Sequence, residues 1–205
     1  MKHVWQTKRV GIFRGTFDPI HSGHLSFAET VYRLANLDEL YFLPEPNPLH
    51  KRAVGDFDLR LEMISRSLES FPNFGLLNKS NLHGSIHQIL PYLRELFQSA
   101  QFVFLMGSDV ARSLPEWSDL EALCKNNELV VGLRGNDTTK EITSLLSSLP
   151  TRAHKTNIIK APMPTAASSS IRTNVSKKIH SEEILNTVHD FVNSNRLYRE
   201  SDPAS

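Results

Sequence analysis

The run Gly15-Thr16-Phe17-Asp18-Pro19-Ile20-His21-Ser22-Gly23-His24 holds the residues best suited to chemistry in this chain. Gly15 lets the backbone turn sharply and lets N–H groups approach a ligand with no side chain in the way. Thr16 adds a hydroxyl donor, and Gly23 opens space where the unpaired N–H groups and dipole of a starting helix favour an anion. His21 and His24 are three apart, so both can face one spot in the first turn. Imidazoles placed there can donate hydrogen bonds to a polyphosphate, and a bound anion raises their protonated fraction. A His-x-x-His pair can also be half of a metal site or two solvated loop residues. For the metal reading, Cys124 is the only cysteine and Glu29 makes a poor third ligand.

A second cluster is Ala166-Ala167-Ser168-Ser169-Ser170-Ile171-Arg172. Serines favour helix N-caps, the N–H groups beside them form an anion site, and Arg172 one turn on offers a fork that matches phosphate oxygens. Taken alone, the segment reads as an ordinary cap followed by a surface arginine. Gly107-Ser108-Asp109 and Trp117 follow the apolar run Phe102 to Met106. Trp117 is suited to stacking on a planar ring or to filling the core or its rim.

These residues need elements to hold them. Apolar runs at Val10–Phe13, Leu40–Leu43, Gln101–Met106, Leu129–Leu133 and Asn157–Ile159 lack clean alternation, as expected of parallel strands covered on both faces. Between them lie helical stripes: Leu25 to Ala35, Leu59 to Leu68, and Ile86 to Phe97, the last predicted to kink or start late at Pro91. A final stripe, Ile184 to Val192, is predicted to open at Ser181 with two glutamates in its first turn. The alternation predicts an α/β fold, a Rossmann-like doubly wound parallel sheet that binds ligands at the carboxyl ends of its strands. Residues 1–200 read as one domain without internal repeats, Pro44–Pro48 as a loop, and 201–205 as a flexible tail.

The 205 residues are 40% hydrophobic and 22% charged, enough apolar surface for a core. Lys plus Arg is 23 against 22 for Asp plus Glu, so no global basic field draws the chain to nucleic acid or an anionic membrane. An anionic ligand then needs a local site. One cysteine excludes an internal disulfide, the apolar runs fall short of a membrane helix, and the polar, basic start is unlike a signal peptide. A cytoplasmic protein is expected.

The first cluster resembles the GTFDPxHxGH signature of the nucleotidyltransferase superfamily, specifically that of bacterial nicotinate-nucleotide adenylyltransferases, whose fold is of the adenine nucleotide α-hydrolase-like type. The resemblance implies that Thr16, His21 and His24 contact ATP phosphates and stabilise charge on the transferred group, with Gly15, Phe17 and Gly23 shaping the ATP site. The second cluster resembles the family's ISSTxIR motif, with Ser168, Ser169 and Arg172 on the β- and γ-phosphates and Ala166 and Ala167 as departures. Gly107 and Asp109 resemble a Gly-x-Asp at the ATP site, and Arg134 an arginine near the adenosine. On the acceptor side, Trp117 is implied to stack on the pyridine ring. Lys51, in Asn47-Pro48-Leu49-His50-Lys51, is implied to meet the mononucleotide phosphate, and Arg60 matches a helix-start arginine. The C-terminal stretch Phe191 to Tyr198 also fits, so the likeness spans nearly the whole chain.

Two departures stand out. Arg14 occupies a position where the family carries glycine, and could reach phosphate or solvent. The stretch His83-Gly84-Ser85-Ile86-His87-Gln88 lacks the family's tyrosine, although Ser85 can stand in for a threonine. The implied reaction is transfer of the adenylyl group of ATP to nicotinate mononucleotide, with Mg²⁺ accompanying ATP and no dedicated protein metal site. Phosphopantetheine adenylyltransferase is the first alternative, disfavoured by His21 and Arg172. A cytidylyltransferase, a non-catalytic nucleotide-binding protein and a zinc hydrolase are further ones.

Overall fold

A computed structural model of the chain describes residues 7–47, 55–78, 85–160 and 167–199. Six strands form one sheet: β1 (Arg9–Gly15), β2 (Glu39–Pro44), β3 (Phe74–Leu76), β4 (Gln101–Gly107), β5 (Glu128–Gly132) and β6 (Lys155–Ile159). Their order is β3-β2-β1-β4-β5-β6, and every neighbouring pair is parallel. Strand order therefore reverses between β1 and β4, where a doubly wound sheet opens a crevice at its carboxyl edge. Gly15 ends β1 and Gly107 ends β4, so both glycines lie at that crevice.

The helices are α1 (Ser22–Leu34), α2 (Phe57–Leu68), α3 (Ile86–Leu96), α4 (Ser108–Ala111), α5 (Leu120–Cys124), α6 (Thr139–Ser147), α7 (Ser168–Ser176) and α8 (Asn186–Ser194), with a 3₁₀ turn at Leu114–Glu116. They cover both faces. Phe13, Phe42, Val103, Leu105 and Val130 point to the side of α1, α2, α7 and α8. Val10, Ile12, Phe102, Phe104 and Val131 point to the side of α3, α5 and α6. Burial on both sides explains why the strands read as continuous apolar runs.

All five expected strands are present, with β3 added at the edge. Three expectations about helices need correction. The helix at Ile86 neither starts late nor waits for Pro91; α3 runs through that proline. Pro91 and His87 both face solvent, so the carbonyl deprived of its N–H partner can bond water, while Ile86, Ile89 and Leu93 bury against the sheet. The last helix opens at Asn186 and not at Ser181. The Ser181 hydroxyl instead donates to Glu183 Oε2 at 2.5 Å, a local bond that favours a turn over helix. The serines of α7 lie inside the helix, its N-cap being Ala167 with no side-chain cap.

Candidate active site

The loop after β1 turns at Phe17, whose φ of 49° lies in the left-handed region, and not at Gly15. The need for glycine at 15 is one of space: a Cβ there would meet the Phe17 ring at 3.0 Å. The loop then delivers His21 as the N-cap of α1 and His24 as its third residue. The His21 N–H donates to His24 Nδ1 at 3.3 Å, and the two rings lie 3.8 Å apart at an angle of 33°. With Nδ1 accepting, neutral His24 carries its proton on Nε2 and is a donor there.

His24 lines a cavity of about 400 Å³ at the carboxyl edge of the sheet. Gly15, Thr16 and Phe17 form one wall, Gly107, Asp109 and Arg134 a second, and Ser168, Ser169 and Arg172 a third. These nine residues and His24, chosen from four separate segments of sequence, thus meet around one space. His21 and Gly23 do not line it; His21 is 2% exposed and stacks behind His24. The Ser168 hydroxyl donates to the Pro19 carbonyl at 3.0 Å, and Arg172 Nη1 donates to the Asp18 carbonyl at 2.6 Å. Both bonds tie the start of α7 to the loop after β1. Because Ala167 supplies no cap, the N–H groups of that first turn have no competing side-chain acceptor at the cap. Across the cavity Arg134 pairs with Asp109 at 3.2 Å, and its N–H donates to buried Ser108 Oγ at 3.0 Å.

A second cavity of about 300 Å³ adjoins the first and shares Arg14, Gly15, Thr16, Asp109 and Val110 with it. Its remaining wall is mostly apolar, with Ile86, Phe104, Met106, Leu123 and Trp117. The indole N–H of Trp117 donates to Ser113 Oγ at 3.1 Å, which fixes the ring at the rim. Arg14 is only slightly exposed and lines both cavities. Its Nε lies 2.9 Å from Glu45 Oε1, and its guanidinium sits over Trp117, 5.5 Å from the ring centre. Ser85 is placed outside the lining, where it caps α3 and donates to Asp119 Oδ2 at 3.1 Å. Lys51, Pro48 to His50, His83, Gly84, Ala166 and the 201–205 tail lie outside the described residues.

The structure adds residues to which sequence reasoning assigned no role. Asp18 accepts from Tyr198 Oη at 2.7 Å and from Gly55 N at 3.1 Å through one carboxylate oxygen. Burial, then the Asp18 charge, holds the Tyr198 phenol far above its ordinary range. Arg60, 1% exposed, donates to the carbonyls of Thr16, Glu45, Pro46 and Gly55 at 2.8 to 3.1 Å. It therefore pins the loop after β1 to the loop after β2. Asp18 was readable from its place inside the glycine–histidine motif; Glu45 carried no signal.

The parallel sheet, with this cavity at its carboxyl edge, is a nucleotide-binding α/β fold. Residues 12–185 match the cytidylyltransferase-like family. A Thermomicrobium roseum protein named "probable nicotinate-nucleotide adenylyltransferase" is 30% identical over 93% of this chain and 92% of its own. One of the same name from Clostridium perfringens is 35% identical over 65% of this chain and 70% of its own. The nicotinic acid mononucleotide adenylyltransferase of Plasmodium falciparum, solved with NaAD, superposes with a TM-score of 0.75. That match covers 93% of this chain and 97% of the other at 20% identity, so it speaks for the fold. The chain belongs to the cytidylyltransferase-like family of nucleotidyltransferases, and within it to the group of nicotinate-nucleotide adenylyltransferases. No helix among the described residues is long and apolar enough to cross a membrane.

Proposed function

We propose that the chain transfers the adenylyl group of ATP to nicotinate mononucleotide, releasing deamido-NAD and pyrophosphate. The observation that carries this reading is the meeting of the two cavities at Arg14, Gly15 and Thr16. One has the donors a triphosphate needs and the other the apolar wall and tryptophan a pyridine ring needs. In this arrangement the acceptor's 5′-phosphate attacks the α-phosphorus in line, and pyrophosphate leaves toward α7 and Arg172. A phosphate monoester is mostly dianionic at neutral pH, so the attack needs no general base. Catalysis then rests on alignment and on donors that meet charge as it moves, with Thr16 and His24 at the α-phosphate.

Mg²⁺ enters as part of the Mg-ATP substrate. The described residues contain no group of three or more His, Cys, Asp or Glu side chains able to hold an ion. ATP phosphates and water supply its ligands in this reading. We further read residues 1–200 as one domain and place the enzyme in the cytoplasm, where ATP and pyridine nucleotides are found together.

The test is pyrophosphate release from Mg-ATP with nicotinate mononucleotide, nicotinamide mononucleotide and phosphopantetheine offered separately. Turnover with the pyridine mononucleotides alone is expected. Turnover with phosphopantetheine alone, or with none of the three by protein that binds ATP, would overturn the acceptor assignment.

A further inference from the structure

The acceptor cavity carries an unusual charge arrangement at its mouth. Arg14 is the one cation among its described lining residues, and two carboxylates, Glu45 and Asp109, line the same space. The Arg14 side chain is only 10% exposed. Glu45 meets its Nε at 2.9 Å, while the described residues give its Nη edge no hydrogen-bond acceptor. The guanidinium lies over the Trp117 ring, 5.5 Å from its centre, and both side chains line the same cavity, so a ligand held there is within reach of Arg14. Glycine, the residue of the resembling motif at this position, could do none of this.

We infer that Arg14 is a specificity-determining residue that favours an acceptor whose ring bears an acidic substituent over one bearing a neutral amide. The inference rests on the adenylyl-transfer reading for its choice of acceptors. Its physical basis is local. Without Arg14, an anionic ring would enter a half-enclosed space facing Glu45, with Asp109 already paired to Arg134 and no cation left among the described lining residues. With Arg14, the same anion gains a guanidinium edge whose paired N–H groups match a carboxylate. A carboxamide gains far less from the cation and loses less to the two carboxylates. Glu45 orients the arginine and sets how much of its charge remains for the ligand.

The experiment compares wild type, Arg14→Gln, Arg14→Lys and Glu45→Gln. For each, kcat/KM and the calorimetric Kd are measured with nicotinate mononucleotide and with nicotinamide mononucleotide, with Mg-ATP KM alongside. Arg14→Gln is expected to lower the acid-to-amide ratio about ten- to a hundredfold, the worth of a charge-assisted pair. Arg14→Lys should retain part of the preference, and Glu45→Gln should raise it. A merely structural arginine would depress both acceptors alike and leave the ratio unchanged, which would overturn the inference. So would a rise in Mg-ATP KM at constant ratio, since Arg14 would then serve the donor phosphates. If Arg14→Gln fails to fold, an unchanged ratio in Glu45→Gln overturns it equally. Should wild type release no pyrophosphate with either acceptor, the adenylyl-transfer reading fails, while the calorimetric ratio still decides the role of Arg14.

Discussion

Arg60→Met tests how the site is braced. Methionine keeps much of the aliphatic volume and removes every donor. The arginine sits 1% exposed and bonds four carbonyls, one of them Thr16 in the loop that lines the larger cavity. Burial pulls its guanidinium below the ordinary arginine range, and the nearby Asp18, Tyr198, Glu45 and Asp56 push it back up. Four bonds to a charged donor at about 1.5 kcal/mol each amount to about 6 kcal/mol; relief from burying the charge returns about half of that. A net loss of about 3 kcal/mol follows, which for a chain of this size lowers Tm by about 6–12 °C. Urea and thermal unfolding followed by circular dichroism measure the loss directly. Arg60→Lys, a point charge without a fork, should recover less than half of it. Because the Thr16 carbonyl loses its anchor, the affinity for Mg-ATP should fall in the folded variant as well. A loss below about 1 kcal/mol would refute the reasoning.

Two further outcomes follow from the geometry. His24→Ala should lower kcat by about 100- to 1000-fold in single-turnover assays with Mg-ATP, as for loss of one transition-state donor, and a variant with near-normal turnover would remove His24 from the chemistry. The second concerns acid stability. Arg9 pairs with Glu128 through two bonds of 2.9 and 3.0 Å, and the arginine hydrogen bond, against the burial penalty, holds the Glu128 carboxyl below its ordinary range. The folded chain thus binds fewer protons here than the unfolded one, so the stabilisation is complete above the ordinary glutamate range and is lost as pH falls through the lowered value. Urea midpoints should show Glu128→Gln less stable than wild type by about 1–2 kcal/mol at pH 7, with the gap closing toward pH 3.

The five longer strands were legible because burial on two faces forces uninterrupted apolar runs. β3 was not: Phe74-Gly75-Leu76 is three residues long and only partly buried at the sheet edge. α6 had a readable start, since Thr138 and Glu141 exchange bonds as a capping box, but Ile142 is its one buried residue and leaves no stripe to notice. In the site, the residues that meet around the larger cavity stood out because backbone and anion chemistry restrict the residue types that would serve a phosphate. The Arg14–Glu45–Trp117 contact did not, for it joins three segments whose proximity depends on strand order. The Ser85 reading shows the converse: its type suited a ligand contact, while the helix it begins placed its hydroxyl on Asp119.

The bond from Tyr198 to Asp18 links residues 180 apart in sequence. Ile171, Val175, Val188 and Val192 likewise pack in the core that holds Phe13 and Phe17. During synthesis the glycine–histidine loop leaves the ribosome 149 to 180 residues ahead of Ser168, Arg172 and Tyr198, three of the partners that brace it. Such long-range closure is slow, and it comes late. A nascent chain that stops short of α7 has two of the three walls of the larger cavity, and Arg60 still holds the Thr16 carbonyl. The cavity is therefore closed only after all six strands have been made, and a stop before Ser168 leaves it open on the side of α7.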